Sequence, residues 1–166
     1  MKRVGAAVGS LVWLLVAPGV VCGLIPWWIN SWNVRSDSAL WLPIQVLGIA
    51  VMIASVLVLL QAFARFAIDG LGTPAPVAPT EHLVVTGLYR HVRNPMYVAV
   101  VALIVGQAML FVDLALLAYA VAIAAVSVGF VRVYEEPTLR RQFGAEYDTY
   151  RSAVPGWWPR RRGWSP

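Results

Sequence analysis

The chain has 166 residues, of which 60% are hydrophobic and only 13% charged, with a formal net charge of +5. Soluble domains carry about 25% charged residues, so this composition excludes an ordinary water-soluble globule and points to lipid as the solvent. Nucleic acid is excluded as a partner, because Lys2 is the only lysine and the arginines sit at the ends of apolar runs, where anionic lipid head groups are the natural neighbours.

In chain order, the first apolar run covers residues 4–25 behind Lys2 and Arg3. At about 22 residues it is too long for the core of a signal peptide, and no small-x-small site closes it, so it is expected to be a retained span. Cys22, the single cysteine, lies within it. It reads as a buried, inert thiol; no disulfide and no metal site is expected. A second span is predicted at 39–64, with Pro43 tolerated in its opening turn. The polar segment 65–94 follows, with three prolines between Gly70 and Pro79 that favour an extended course able to cover a pocket.

Residues 96–131 are almost continuously apolar, interrupted by Asp113. As one helix this stretch would be roughly 54 Å long, against a hydrocarbon core of about 30 Å. It must fold back, and Asp113 is the expected reversal, where its side chain meets water; the third and fourth spans are then 95–112 and 114–133. Gln61 and Gln107 are placed to hydrogen-bond between helices, and Arg65 and Asp69 to pair across one turn. No small-xxx-small face stands out. In the tail 134–166, residues Glu135 to Ser152 have helical spacing with Leu139, Phe143, Tyr147 and Tyr150 on one face, which predicts an amphipathic helix at the membrane interface or against the 65–94 loop.

The fold class expected is therefore all-α: a single membrane domain over 1–166, with four transmembrane helices and a C-terminal interfacial amphipathic helix. Arginine is concentrated before span one, between spans two and three, and after span four, whereas Arg35 alone, offset by Asp37, lies between spans one and two. That alternation predicts both termini and the 65–94 loop on the cytoplasmic side, in a plasma membrane of bacterial type. Trp27, Trp28, Trp32 and Trp41 would anchor the outer interface, and Trp157, Trp158 and Trp164 the inner one. An aromatic cage for a cation is the alternative for these tryptophans.

Two polar blocks flank the predicted hairpin. The first contains Tyr89, Arg90, His91, Arg93, Asn94, Pro95 and Tyr97; the second opens with Glu135 and Glu136. A chain that goes out and returns brings these blocks to one membrane face. Asn94-Pro95 is a helix start, with Asn as N-cap and Pro at the first helical position, so free N–H groups there, aided by Arg90 or Arg93, suit an anion. The glutamate pair offers acceptors for an ammonium or for hydroxyls. An anion pocket beside a carboxylate pair fits a zwitterionic ligand; the bland alternative is arginines snorkelling to head groups and pairing with the glutamates. His91 reads as a surface residue.

The pattern G-x-Y-R-x-x-R-N-P-x-Y, a hairpin, then E-E-x-x-L-x-x-x-F-G-x-x-Y-x-x-Y resembles the isoprenylcysteine carboxyl methyltransferase and phospholipid N-methyltransferase superfamily over roughly residues 70–159. The resemblance implies S-adenosylmethionine bound at the cytoplasmic end of the hairpin and a lipophilic or lipid acceptor, carboxylate or amine, arriving from the bilayer. It assigns the cofactor to Tyr89, Arg90, Arg93, Asn94, Pro95, Tyr97, Glu135 and Glu136, with Glu136 the preferred contact of the two glutamates and either one a possible base for an amine. Many members have histidine where this chain has Asn94, which hydrogen-bonds but does not titrate near neutrality. Two other readings stay open: a catalytically silent lipid- or partner-binding protein of the same fold, and a reductase of the steroid-reductase-like families, which would bind a nicotinamide cofactor instead.

Overall fold

The structure is a computed structural model that describes residues 16–35, 38–69 and 82–165. The opening of the first predicted span with Lys2 and Arg3, Asp37, the proline-rich segment 70–79 and the Arg65–Asp69 pairing lie outside the described residues. Among the described residues the chain is all-helical, without a strand. Helix α1 is Val16–Asn30, α2 Leu42–Asp69, α3 Pro95–Phe111 and α4 Leu114–Phe130. A single π turn, Val131–Glu135, carries α4 into α5, Glu136–Phe143, and α6 is Ala145–Ala153.

Two helical stretches, Ala39–Arg65 and Leu114–Phe143, are long and apolar enough to cross a membrane, and two shorter apolar helices, Val16–Asn30 and Pro95–Phe111, accompany them. The helix that holds the expected fourth span, 114–133, does not end there but runs from Leu114 to Phe143. Pro137, which cannot donate an N–H, is absorbed by the π turn instead of ending the helix. The tail helix expected as one piece is split at Gly144, whose φ of 53° and ψ of −126° only glycine adopts without strain.

Much of the outward surface of α2 and α4 is apolar, with Ile53, Leu57, Val121 and Val126 all more than half exposed. In water such a surface would be costly, and in lipid it is the ordinary state. Lipid removes the hydrophobic drive between helices, so close approach and interhelical hydrogen bonds must hold the bundle. The α2–α3 crossing supplies the first. A Cβ on Gly48 would stand 2.6 Å from the Gly106 carbonyl oxygen, and one on Gly106 would stand 2.7 Å from Met52 Cγ. Around this crossing Leu59 and Phe63 pack with Ala99, Leu103 and Ile104.

Helix α1 supplies the second. Its π turn, Val20–Leu24, directs the Ile25 N–H to the Val20 carbonyl and so leaves the Val21 carbonyl without a backbone donor. Pro26 does the same for Cys22. Both carbonyls are met from neighbouring helices: Tyr119 Oη donates to Val21 O at 3.0 Å and Gln107 Nε2 to Cys22 O at 2.8 Å. At the far end, Val112 (φ 53°) and Asp113 make the reversal. Asp113 is not simply solvated. It caps α4 by accepting from the Ala115 and Leu116 amides, and it also accepts from Asn30 Nδ2, joining α1 to the hairpin.

Candidate functional site

At the opposite end of the bundle the segment 82–94 returns to the helices. Its pivot is Gly87, with φ of 56°, where a side chain would press on Arg65 and Gln61 of α2. The short 3-10 turn Gly87–Arg90 buries Tyr89. Tyr150 Oη donates to the Tyr89 carbonyl at 2.6 Å, so α6 is clamped onto this turn. The predicted apolar face of the tail is real, and it packs on Leu83, Val85 and Trp164. Burial raises the phenols of Tyr89, Tyr147 and Tyr150 above their ordinary value, which keeps them protonated and neutral.

Arg93 is the hub. Its Nη1 donates to Glu136 Oε1 at 2.7 Å and to Tyr147 Oη at 3.0 Å, and its Nε donates to the Val154 carbonyl at 3.0 Å. The ion pair is largely enclosed, with side-chain exposures of 13% and 17%, and Arg151 closes on the other oxygen of Glu136 at 3.2 Å. Two arginines therefore share Glu136. Glu135 faces elsewhere: Tyr97 Oη donates to its Oε2 at 2.8 Å, and it lines a cavity of about 290 Å³. The separation follows from helical geometry, since adjacent residues point about 100° apart.

All four long helices line the cavity. Tyr89, Arg93, Asn94, Pro95, Tyr97 and Glu135 form its polar end, and Val21, Leu59, Phe63, Val100, Ile123 and Phe130 are part of its apolar wall. Of the eight residues that the sequence singles out, six line it. Glu136 stands behind Arg93, and Arg90 lies outside, its Nε donating to the Trp164 carbonyl at 2.6 Å.

Asn94 departs from its expected role. It holds the N-cap position of α3, but its side chain makes no capping hydrogen bond. It is 6% exposed, and Nδ2 is buried without a partner. A buried amide left so costs about 1–3 kcal/mol, which marks the atom as unusual. Gly156 lies directly opposite: a Cβ there would stand 3.2 Å from Arg93 Nη2 and 3.5 Å from Asn94 Nδ2. Glycine at 156 thus lets the tail backbone approach both groups closely, and Asn94 Nδ2 stays without an acceptor on the cavity wall.

The tail packs directly on this segment through backbone hydrogen bonds. Arg93 and Asn94 amides donate to the Pro155 and Gly156 carbonyls at 2.9 and 3.1 Å. The Arg160 and Trp164 amides donate to the His91 and Arg90 carbonyls at 3.0 and 2.9 Å. His91 is accordingly part of a scaffold, with Nδ1 3.0 Å from the Arg160 carbonyl oxygen. Trp157 and Trp164, expected at the membrane interface, pack with tilted rings against Tyr97 and Tyr150, and only Trp158 of the three is well exposed. The signal available in the sequence was the run of prolines and glycines around these tryptophans, which favours a closely turned chain over a helix.

Among the described residues no group of histidine, cysteine and carboxylate side chains is arranged to hold a metal. The profile of a family described as phospholipid methyltransferase matches residues 43–146, close to two thirds of the chain. No curated protein and no solved structure matches the chain significantly.

Proposed function

The chain belongs to the phospholipid methyltransferase family, and from that premise we propose that it transfers a methyl group from S-adenosylmethionine to a carboxylate or amine of a lipophilic acceptor at the cytoplasmic membrane face. The single observation that carries this reading is Asn94 Nδ2, a buried donor without a partner, on the wall of a cavity that Arg93, Tyr97 and Glu135 also line. A donor without an acceptor, beside the Arg93 cation, suits the carboxylate of the cofactor's amino-acid part, and Glu135 with Tyr97 suits its ammonium or a hydroxyl. Bound there, the cofactor would supply a methyl group on a sulfonium, whose departure as a neutral thioether needs no acid from the protein.

What remains for the chain is orientation and the exclusion of water. Tyr97 holds Glu135 through one oxygen, leaving the other for a ligand. For an amine acceptor, Glu135 would take the proton that the nitrogen releases as it gains the methyl group. For a carboxylate acceptor, no proton moves. Glu136 acts through Arg93, as a positioning residue.

The proposal includes four crossings, by α1 with the residues before it, α2, α3 and α4, in a plasma membrane, with the site end and both termini cytoplasmic. The arginine distribution supports this orientation: Arg65, Arg90, Arg93, Arg132 and the tail arginines share one end, and Arg35 is at the other. Incubating the purified protein with methyl-labelled S-adenosylmethionine and a total lipid extract tests the activity. Label is expected in a lipid-soluble product. Absence of transfer, together with no heat on titration at millimolar cofactor, would overturn the reading, and heat with NADPH instead would indicate a reductase.

A further inference from the structure

The tail after α6 is two-faced. Its inward residues fasten to the site: Trp157 on Tyr97, Arg160 through its amide to His91 and through Nη1 to the Ala153 carbonyl, and Trp164 through its amide to Arg90. Gly163 lies against His91, where a Cβ would stand 3.1 Å from Nε2. The residues between them turn the other way. Trp158 is 82% exposed, and Arg161 and Arg162 are also exposed. Soluble surfaces rarely present a bare tryptophan beside uncommitted cations, whereas the head-group layer of a bilayer favours that combination.

The position of this outward face agrees. A ladder of aromatic rings leads from the strap to the apolar outside of the bundle: Trp157 to Tyr97 at 6.4 Å, Tyr97 to Phe130 at 6.5 Å, and Phe130 to Tyr134 at 5.2 Å. Val133 beside it is 81% exposed and Arg132 is exposed too. The strap thus leaves the site at the level where α4 passes from apolar to cationic surface. The charge is one-signed: among 157–165 there are three arginines and no acidic residue.

We propose that residues 157–164 form a strap whose outward face, Trp158, Arg161 and Arg162, binds anionic phospholipid head groups, and that this binding tightens the strap over the 90–94 segment of the site. The coupling is physical: the same short segment carries the lipid contacts outward and, inward, the Arg160 and Trp164 amide bonds to the residues flanking Arg93 and Asn94. Anything that binds the docked strap better than the released one shifts the population toward the docked form. The inference rests on the chain lying in a membrane and is independent of methyl transfer.

Hydrogen exchange on the full-length protein tests it without cofactor or acceptor. The protein is placed in nanodiscs of phosphatidylcholine alone, or with one third of the lipid replaced by phosphatidylglycerol. Exchange in the peptide covering residues 157–164 is expected to slow by about tenfold in the anionic discs, and high salt should abolish the difference. In the R161Q/R162Q variant the rate in phosphatidylcholine should match wild type, showing an intact strap, while the anionic effect disappears. A general surface-pH effect would persist in that variant. Equal exchange in both discs, or a slowing retained by the double variant, would overturn the proposal.

Discussion

Two π turns, each with a proline just beyond it, serve opposite purposes in this chain. In Val20–Leu24 the released carbonyls of Val21 and Cys22 are both met by side chains from neighbouring helices, and the result is a lock between α1 and the hairpin. In Val131–Glu135 the same device keeps the helix running past Pro137 and sends Glu135 into the cavity and Glu136 toward Arg93 and Arg151. The difference lies in the surroundings. Where neighbours satisfy what the irregular turn releases, it strengthens the fold. Near the second turn a donor is left over, Asn94 Nδ2, as the proposed function requires of a binding site.

The contrast can be broken at its hub. Arg93→Ala would leave Glu136 enclosed beside Arg151 alone and remove the donors to Tyr147 and Val154. A loss on the order of 3 kcal/mol is expected in detergent unfolding, accompanied by loss of cofactor binding. Arg93→Lys should restore neither fully, because an ammonium cannot reproduce the fork. Gly106→Leu attacks the helix crossing instead, with about 2 kcal/mol lost to overpacking against Met52 and Gly48 and cofactor affinity unchanged in the folded fraction. Gln107→Leu tests the lock formed at the first π turn. It strands the Cys22 carbonyl, and about 1 kcal/mol is expected to be lost with binding intact. A large drop in affinity there would show that the two turns are not functionally distinct.

An effect of similar size, but dependent on pH, is expected at Asp113. Burial opposes its charge, but hydrogen bonds from the Leu116 amide, Asn30 and the Ala115 amide outweigh it and hold its carboxyl below the ordinary value of 3.8. The sign follows: a carboxyl with a lowered value stabilises the fold above its unfolded-state value, and the contribution is lost as pH falls through the folded value. Unfolding measured between pH 6 and pH 3 should therefore show wild type approaching Asp113→Ala at the acid end, from a difference of about 1 kcal/mol at the neutral end. A constant difference would mean the cap does not depend on charge.

Hydropathy made the helical class and the reversal at Asp113 legible, because apolar length and a single interrupting charge have few other solutions. The motif blocks made six cavity residues legible, since a hairpin must bring its flanks together. Three things were not legible. The Gly48–Gly106 approach depends on two glycines far apart in sequence, which no single-helix pattern reveals. The inward turn of Asn94 depends on the tail carbonyls of Pro155 and Gly156, so the local N-cap signature pointed to a role the side chain does not take. The placement of the two glutamates depends on helical phase at a π turn, which puts Glu135 on the cavity wall and Glu136 against Arg93.

The central claim is that Asn94 is left unsatisfied for a ligand, and titration calorimetry of S-adenosylmethionine against wild type and Asn94→Ala, paired with unfolding of the cofactor-free proteins, tests it most directly. Removing an orphaned amide should leave the free protein as stable or more stable, while cofactor affinity falls by about tenfold. Equal affinity in the two proteins, or a variant destabilised without any change in binding, would contradict the account.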